Sequence, residues 1–175
     1  IGYVPVEEYL FFVLQSVLTG LWLYWLLARG REPLKQEPSL IFRVLLLLFG
    51  VMLSAIGFLM LRSDSTLYLG LILAWSAPVL SLQWGVGVPT LWTMKQTWLI
   101  GTLVPTLYLW VIDRIAIGNG IWRISDAYTT GIQLFGLPIE EATFFLVTNL
   151  LVVQGLSLLL LLKMPHRSAS TTTNL

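Results

Sequence analysis

Two pairs of adjacent glutamates stand at the start of long apolar stretches. They occur in two matching segments, PVEEYLFF and PIEEATFF, which lie 133 residues apart and contain Glu7, Glu8, Glu140 and Glu141. A carboxyl group can donate a proton or accept one, and it costs free energy beside a hydrocarbon environment. The repeated pair therefore predicts acid–base catalysis by these four glutamates.

Helical spacing adds aromatic and polar side chains to each pair. In both segments a glutamate, a phenylalanine and a polar residue follow one another at intervals of four positions. The three residues therefore share one face of a helix. Lipid offers polar groups no partner, so this face is expected to point into a helix bundle. The predicted substrate contacts on it are Phe11, Phe12, Gln15, Phe144, Phe145, Thr148 and Asn149.

The glutamates could also be simple helix caps. Proline favours the first turn of a helix, and acidic residues there favour the positive end of the helix dipole. Two copies in the same frame, each followed by Phe-Phe, favour a functional role instead. In the fourth apolar stretch, a weaker candidate lining consists of Trp98, Thr102, Thr106 and Asp113. Asp113 is otherwise interpreted as an interfacial charge or as part of a local pair, and not as a catalytic residue.

The composition is typical of a membrane protein. Hydrophobic residues make up 57% of the 175 residues and charged residues only 11%, whereas a soluble domain is about a quarter charged. The apolar runs lack the alternation of barrel strands and therefore predict helices. The predicted fold is an all-α, polytopic helix bundle with a parallel internal repeat. Five spans of the required length are predicted at 6–28, 40–61, 66–86, 96–116 and 138–162.

Lysine and arginine are unevenly divided between the two sides of this bundle. Seven fall on the side of the C-terminal tail and three on the other, which predicts a multi-pass membrane protein with a cytoplasmic tail. Three spans separate the two glutamate pairs, so both pairs are expected on the same, non-cytoplasmic face. The predicted divisions are a truncated first repeat at 1–39, two connecting helices at 40–86, a second repeat at 87–165 and a linker at 166–175.

Missing residue types exclude several classes of chemistry. There is no cysteine, and the single histidine, His166, follows the last span, so no metal centre is predicted. No glycine-rich dinucleotide motif follows a strand, which leaves flavin and nicotinamide cofactors unsupported. The net charge is only +1 and no basic block is present, so no nucleic-acid partner is predicted. We expect neither a metal nor a cofactor.

The two segments resemble a known family. Paired Pro-x-Glu-Glu motifs at the starts of membrane helices, as in PVEEYLFF and GLPIEEATFF, are similar to those of the membrane-integral lycopene cyclases. These occur as bacterial heterodimers, as fused archaeal chains and as fungal fusions with phytoene synthase. The resemblance covers residues 1 to about 165, and IGYVPVEEYLFFVLQ looks most like the fungal form. In the family, a further helix and loop precede the first motif, so they are expected before Ile1. Without them, this chain alone is expected to cyclise lycopene poorly.

The resemblance implies a redox-neutral cyclisation inside the membrane. The linear ends of lycopene close to β-ionone rings, giving gamma-carotene and beta-carotene. The implied partners are the carotenoid substrate, membrane lipid and a C-terminal phytoene synthase domain. An acid and a base are sufficient, and a carboxyl group in a dry site can stay protonated. Three other interpretations stay open: a proton-coupled small-solute transporter, a carotenoid hydratase that uses the same carbocation, and an inert membrane anchor.

Overall fold

The fold is a bundle of five long helices. The computed structural model describes residues 6–29 and 39–163. The helices are α1 (Val6–Leu27), α2 (Leu40–Met60), α3 (Leu67–Thr93), α4 (Lys95–Gly118) and α5 (Ile139–Lys163). All five are long and apolar enough to cross a membrane, which confirms the predicted all-α membrane bundle.

The helix bounds differ from the prediction mainly in α3. The predicted end at 86 coincides with a break in this helix, where the backbone of Gly87 is non-helical (φ −149°, ψ 17°), and a second helical segment continues to Thr93. The remaining elements are short. They comprise two 3₁₀ turns, Asp64–Thr66 and Asp126–Tyr128, and an antiparallel pair of strands, β1 (Gln133–Leu134) and β2 (Leu137–Pro138).

Helix α5 is the centre of the bundle. It packs against α1, α3 and α4, whereas α2 packs chiefly against α3. Small residues allow the close approach of α2 and α3: a Cβ atom added to Gly57 would lie 2.5 Å from the backbone nitrogen of Ala74. The Ser54 hydroxyl donates a hydrogen bond of 3.0 Å to the Ala74 carbonyl across the same contact. Small and hydroxyl residues at such contacts are typical of helix packing in membranes.

Helices α1 and α5 run in the same direction. Phe11 meets Phe145, Gln15 meets Thr148, and farther along Gly20 lies against Leu156. Because the residue numbers rise together along both helices, α1 and α5 begin at the same end of the bundle, which we call the motif end. That the two helices belong to two related halves of the chain stays a prediction.

The loop between α4 and α5 folds back over the motif end. Its tight turn needs left-handed backbone at Phe135 (φ 52°) and Gly136 (φ 82°). The Arg114 guanidinium, near the end of α4, donates to the carbonyl oxygen of Phe135. The Ile139 amide, at the start of α5, donates to the carbonyl of Ile132 over 2.9 Å. These bonds hold the loop beside the second glutamate pair.

Candidate active site

Glu140 is the most enclosed carboxyl group of the two motifs. Its side chain is 0% exposed. The loop residue Thr130 donates to its Oε1 atom twice, from the backbone amide at 2.7 Å and from the hydroxyl at 2.8 Å. The second oxygen, Oε2, is buried and has no hydrogen-bond partner among the described residues. An unpaired buried polar atom is costly, so Oε2 is the oxygen of Glu140 that can still accept a hydrogen bond.

Glu141 points toward α3 instead. The Tyr68 hydroxyl donates to its Oε1 atom over 2.6 Å, a length typical of a strong O–H···O bond. The carboxyl groups of Glu8, Glu140 and Asp113 all lie within electrostatic range of Glu141. The motif end therefore gathers acidic side chains from α1, α4 and α5.

Asp113 of α4 is a third buried carboxyl group at this end. It is 3% exposed. Its Oδ1 atom accepts a 2.8 Å hydrogen bond from the indole nitrogen of Trp122 in the loop, while Oδ2 is buried without a partner among the described residues. The bond from Trp122, only nine positions away in the sequence, agrees with the interpretation of Asp113 as part of a local pair. The weaker prediction, that it shares an inward face with Thr102 and Thr106, agrees with the burial of all three side chains.

The first glutamate pair is less enclosed than the second. Both Glu7 and Glu8 are exposed in the described part of the chain. Glu8 lies within electrostatic range of Glu141 and Tyr68. Glu7 lies one position away on an exposed part of α1. Of the four predicted catalytic residues, Glu8 and Glu140 lie within electrostatic range of Glu141. Glu7 lies at the periphery of this group.

The four motif phenylalanines form one cluster between α1 and α5. Phe11 meets Phe145 edge to face with ring centroids 5.9 Å apart, and Phe12 meets Phe144 at 5.6 Å. Such edge-to-face pairs are favourable beyond the area that they bury. The cluster lies one helical turn from the glutamates, and it reaches from the buried Phe145 (3% exposed) to Phe12, which is 41% exposed.

A buried polar network lies one to two helical turns below the phenylalanine cluster. The Gln15 amide donates to Thr148 Oγ1 at 2.8 Å and to Asn149 Oδ1 at 3.3 Å. Thr19 also donates to Asn149 Oδ1, at 2.8 Å, and the Asn149 amide donates to Thr106 at 3.0 Å. The three polar residues predicted as substrate contacts, Gln15, Thr148 and Asn149, thus bind one another. Whether they also contact substrate stays a prediction.

Several site residues were not identified from the sequence. Thr19 continues the four-residue spacing that begins at Glu7, so extending that stripe by one turn would have found it. Tyr68 and Thr130 lie outside both motifs and reach the glutamates only through the fold. No sequence spacing indicated them.

A cavity of about 280 Å³ lies beside Tyr68, the hydrogen-bond partner of Glu141. It lies between the first turns of α3 and the loop, and Tyr68 forms part of its wall. The other lining side chains are mainly apolar: Leu67, Leu71, Ile124, Ser125, Tyr128 and Thr129. An apolar space beside a few convergent polar groups is the usual form of a small-molecule site.

Known proteins resemble this chain over most of its length. A protein of Halobacterium salinarum named lycopene beta-cyclase is 48% identical over 157 residues, covering 88% of this chain and 64% of that protein. The chain is a homologue of the lycopene cyclases. Proteins of Podospora anserina and Aspergillus niger named bifunctional lycopene cyclase/phytoene synthase are 38% and 36% identical. They match over 88% and 87% of this chain and over 28% and 27% of their own lengths.

These matches confirm the resemblance to lycopene cyclases that the two motifs predicted. Sequence identity is higher with the Halobacterium salinarum protein than with the two fungal proteins. The N-terminal stretch IGYVPVEEYLFFVLQ had instead indicated the fungal form. The chain spans less than two thirds of the length of the archaeal relative. No family model and no solved structure matches the chain.

Proposed function

We propose that the chain is a lycopene beta-cyclase, which closes the linear ends of lycopene to β-ionone rings inside the membrane. The products would be gamma-carotene and beta-carotene. The observation that carries the proposal is the buried Glu140, which lies within electrostatic range of Glu141 and whose Oε2 atom has no hydrogen-bond partner among the described residues, in a homologue of lycopene cyclases. A proton-transfer reaction on a hydrocarbon needs this combination of an enclosed acid, a base and apolar surroundings.

The proposed reaction is an isomerisation. A carboxylic acid protonates the terminal double bond of lycopene, and the next double bond attacks the resulting cation, which forms the ring C–C bond. A carboxylate then removes a proton from the carbon next to the new cation, which leaves the ring double bond. One proton is added and one is lost, so no oxidant, reductant or cofactor is required. The proposed catalytic residues are Glu7, Glu8, Glu140 and Glu141, with at least one acting as acid and another as base.

The aromatic cluster supports this chemistry. The faces of Phe11, Phe12, Phe144 and Phe145 carry negative electrostatic potential that stabilises nearby cations. Because these rings stand next to the glutamates, a carbocation formed there would be held within an aromatic environment. We propose these four rings as substrate contacts, together with the nearby polar residues Gln15, Thr148 and Asn149.

The arrangement of α1 and α5 supports a parallel internal repeat. With the 133-residue offset, Phe11 corresponds to Phe144 and Phe12 corresponds to Phe145. The observed pairs are Phe11 with Phe145 and Phe12 with Phe144, as expected if a two-fold axis along the membrane normal relates the two helices. We propose further that the C-terminal tail is cytoplasmic, on the balance of lysine and arginine. A phytoene synthase domain is a proposed partner, because the fungal relatives carry both names.

Purified full-length protein in lipid vesicles should convert lycopene to gamma-carotene and beta-carotene without added flavin or nicotinamide. The products are separated by chromatography and identified by absorption and mass. A strict requirement for reduced flavin would contradict the redox-neutral mechanism. A product heavier than lycopene by one water would instead identify a hydratase. Neither that activity nor a transporter is favoured by the names of the relatives.

A further inference from the structure

Tyr68 connects a motif glutamate to the apolar cavity. It lies in the first turn of α3, and its hydroxyl donates to Glu141 Oε1 over 2.6 Å. Its side chain also lines the cavity of about 280 Å³ beside Leu67, Leu71 and Tyr128. One residue thus contacts both a proposed catalytic carboxyl group and the space next to it, although it belongs to neither motif.

The hydrogen bond restricts the carboxyl group of Glu141. A glutamate side chain has three rotatable bonds and can swing its carboxyl group over several ångströms, whereas a tyrosine has two and a rigid ring. Because Tyr68 occupies Oε1, the other oxygen of Glu141, Oε2, is the one free to exchange a proton with a bound molecule. The hydroxyl also lies within electrostatic range of Glu8 and Asp113.

We propose that Tyr68 is a positioning residue that holds Glu141 for proton exchange with the end group of the substrate in this cavity. The inference rests on the proposed cyclisation. The cavity is near the lower limit of small-ligand pockets, roughly 300–1,000 Å³, so it suits one end of a long polyene rather than the whole molecule. Its apolar lining suits a hydrocarbon end, and Tyr68 in its wall bonds to the carboxyl group of Glu141.

A test compares Tyr68→Phe with wild type in full-length protein reconstituted in lipid vesicles. Phenylalanine keeps the ring in the cavity wall and removes only the hydroxyl. We expect kcat for lycopene, per folded protein, to fall roughly 10- to 100-fold, as when a catalytic group loses its orientation by about 1 Å. The KM should change by less than about twofold, because uniform substrate binding is retained. The matched control is Tyr108→Phe, which removes the hydroxyl of a tyrosine that is 61% exposed on α4.

A second variant distinguishes two roles of Tyr68: orienting the carboxyl group of Glu141, and merely holding α3 against α5. Replacing Tyr68 by 4-aminophenylalanine keeps both the ring and a hydrogen-bond donor, so it should restore kcat to within a few fold of wild type. A Tyr68→Phe protein with wild-type kcat would overturn the inference, as would a higher KM with unchanged kcat. An aminophenylalanine protein that folds but has lost its kcat would also overturn it. If wild type forms no rings at all, it is the proposed function that fails, and this outcome is distinct from the others.

Discussion

Glu140→Gln is expected to abolish ring formation, lowering kcat by roughly 10²- to 10⁴-fold, the usual contribution of a general acid or base. Glutamine keeps the shape of the side chain, and its amide oxygen can still accept both hydrogen bonds from Thr130. It can neither donate a catalytic proton nor act as a base. The substitution therefore removes proton transfer and preserves packing, so the protein should remain folded in the membrane.

The same substitution at the other motif positions tests how far the two pairs act together. Glu141→Gln and Glu8→Gln should also abolish cyclisation, because both residues belong to the gathered acidic group. A smaller effect is expected for Glu7→Gln, since Glu7 lies at the exposed periphery. The matched control is Asp64→Asn, which neutralises an exposed carboxyl group between α2 and α3 and should leave ring formation unchanged. Normal cyclisation with glutamine at all four positions would identify the pairs as helix caps.

Asn149→Ala is expected to lower the stability of the bundle. Asn149 is fully buried and bonds to Gln15, Thr19 and Thr106, side chains that lie on two other helices. Alanine would leave these groups without their partner, at a cost of about 2 kcal/mol if unsatisfied buried groups behave as usual. The midpoint of thermal unfolding in detergent should fall accordingly.

The control for this stability measurement is Asn119→Ala. Asn119 is exposed at the end of α4, so its loss should leave the midpoint of unfolding unchanged. Equal midpoints for Asn149→Ala and wild type would mean that the polar network does not hold α1, α4 and α5 together. The three predicted substrate contacts in the network would then be better interpreted as binding residues than as structural ones.

The membrane helices were predictable because long apolar runs are a local signal in the sequence. The number of helices predicted the common direction of α1 and α5. The repeated spacing predicted the buried face of α5 but not the exposure of Glu8 and Phe12 on α1. The predicted end of the third span at 86 coincides with the non-helical Gly87, whereas the helical segment that follows it to Thr93 was not predicted.

The partners of the glutamates could not be predicted from spacing. Tyr68 bonds to a residue 73 positions away, and this pairing depends on how α3 packs against α5. Thr130 is only ten positions from Glu140, but their contact depends on a loop that folds back through a left-handed turn. The burial of Asp113 depends on the loop residue Trp122 as well as on the face of α4. Such contacts follow from tertiary packing and leave no periodic pattern.

The mass of the product formed in deuterium oxide tests the central claim most directly. If a solvent-exchangeable carboxylic acid protonates lycopene and a carboxylate removes a different hydrogen, each ring closed in deuterium oxide gains one deuterium and loses one hydrogen. Gamma-carotene should then be heavier by one mass unit, and beta-carotene by two, with no flavin present. Cyclised product of natural mass would contradict proton transfer from such an acid.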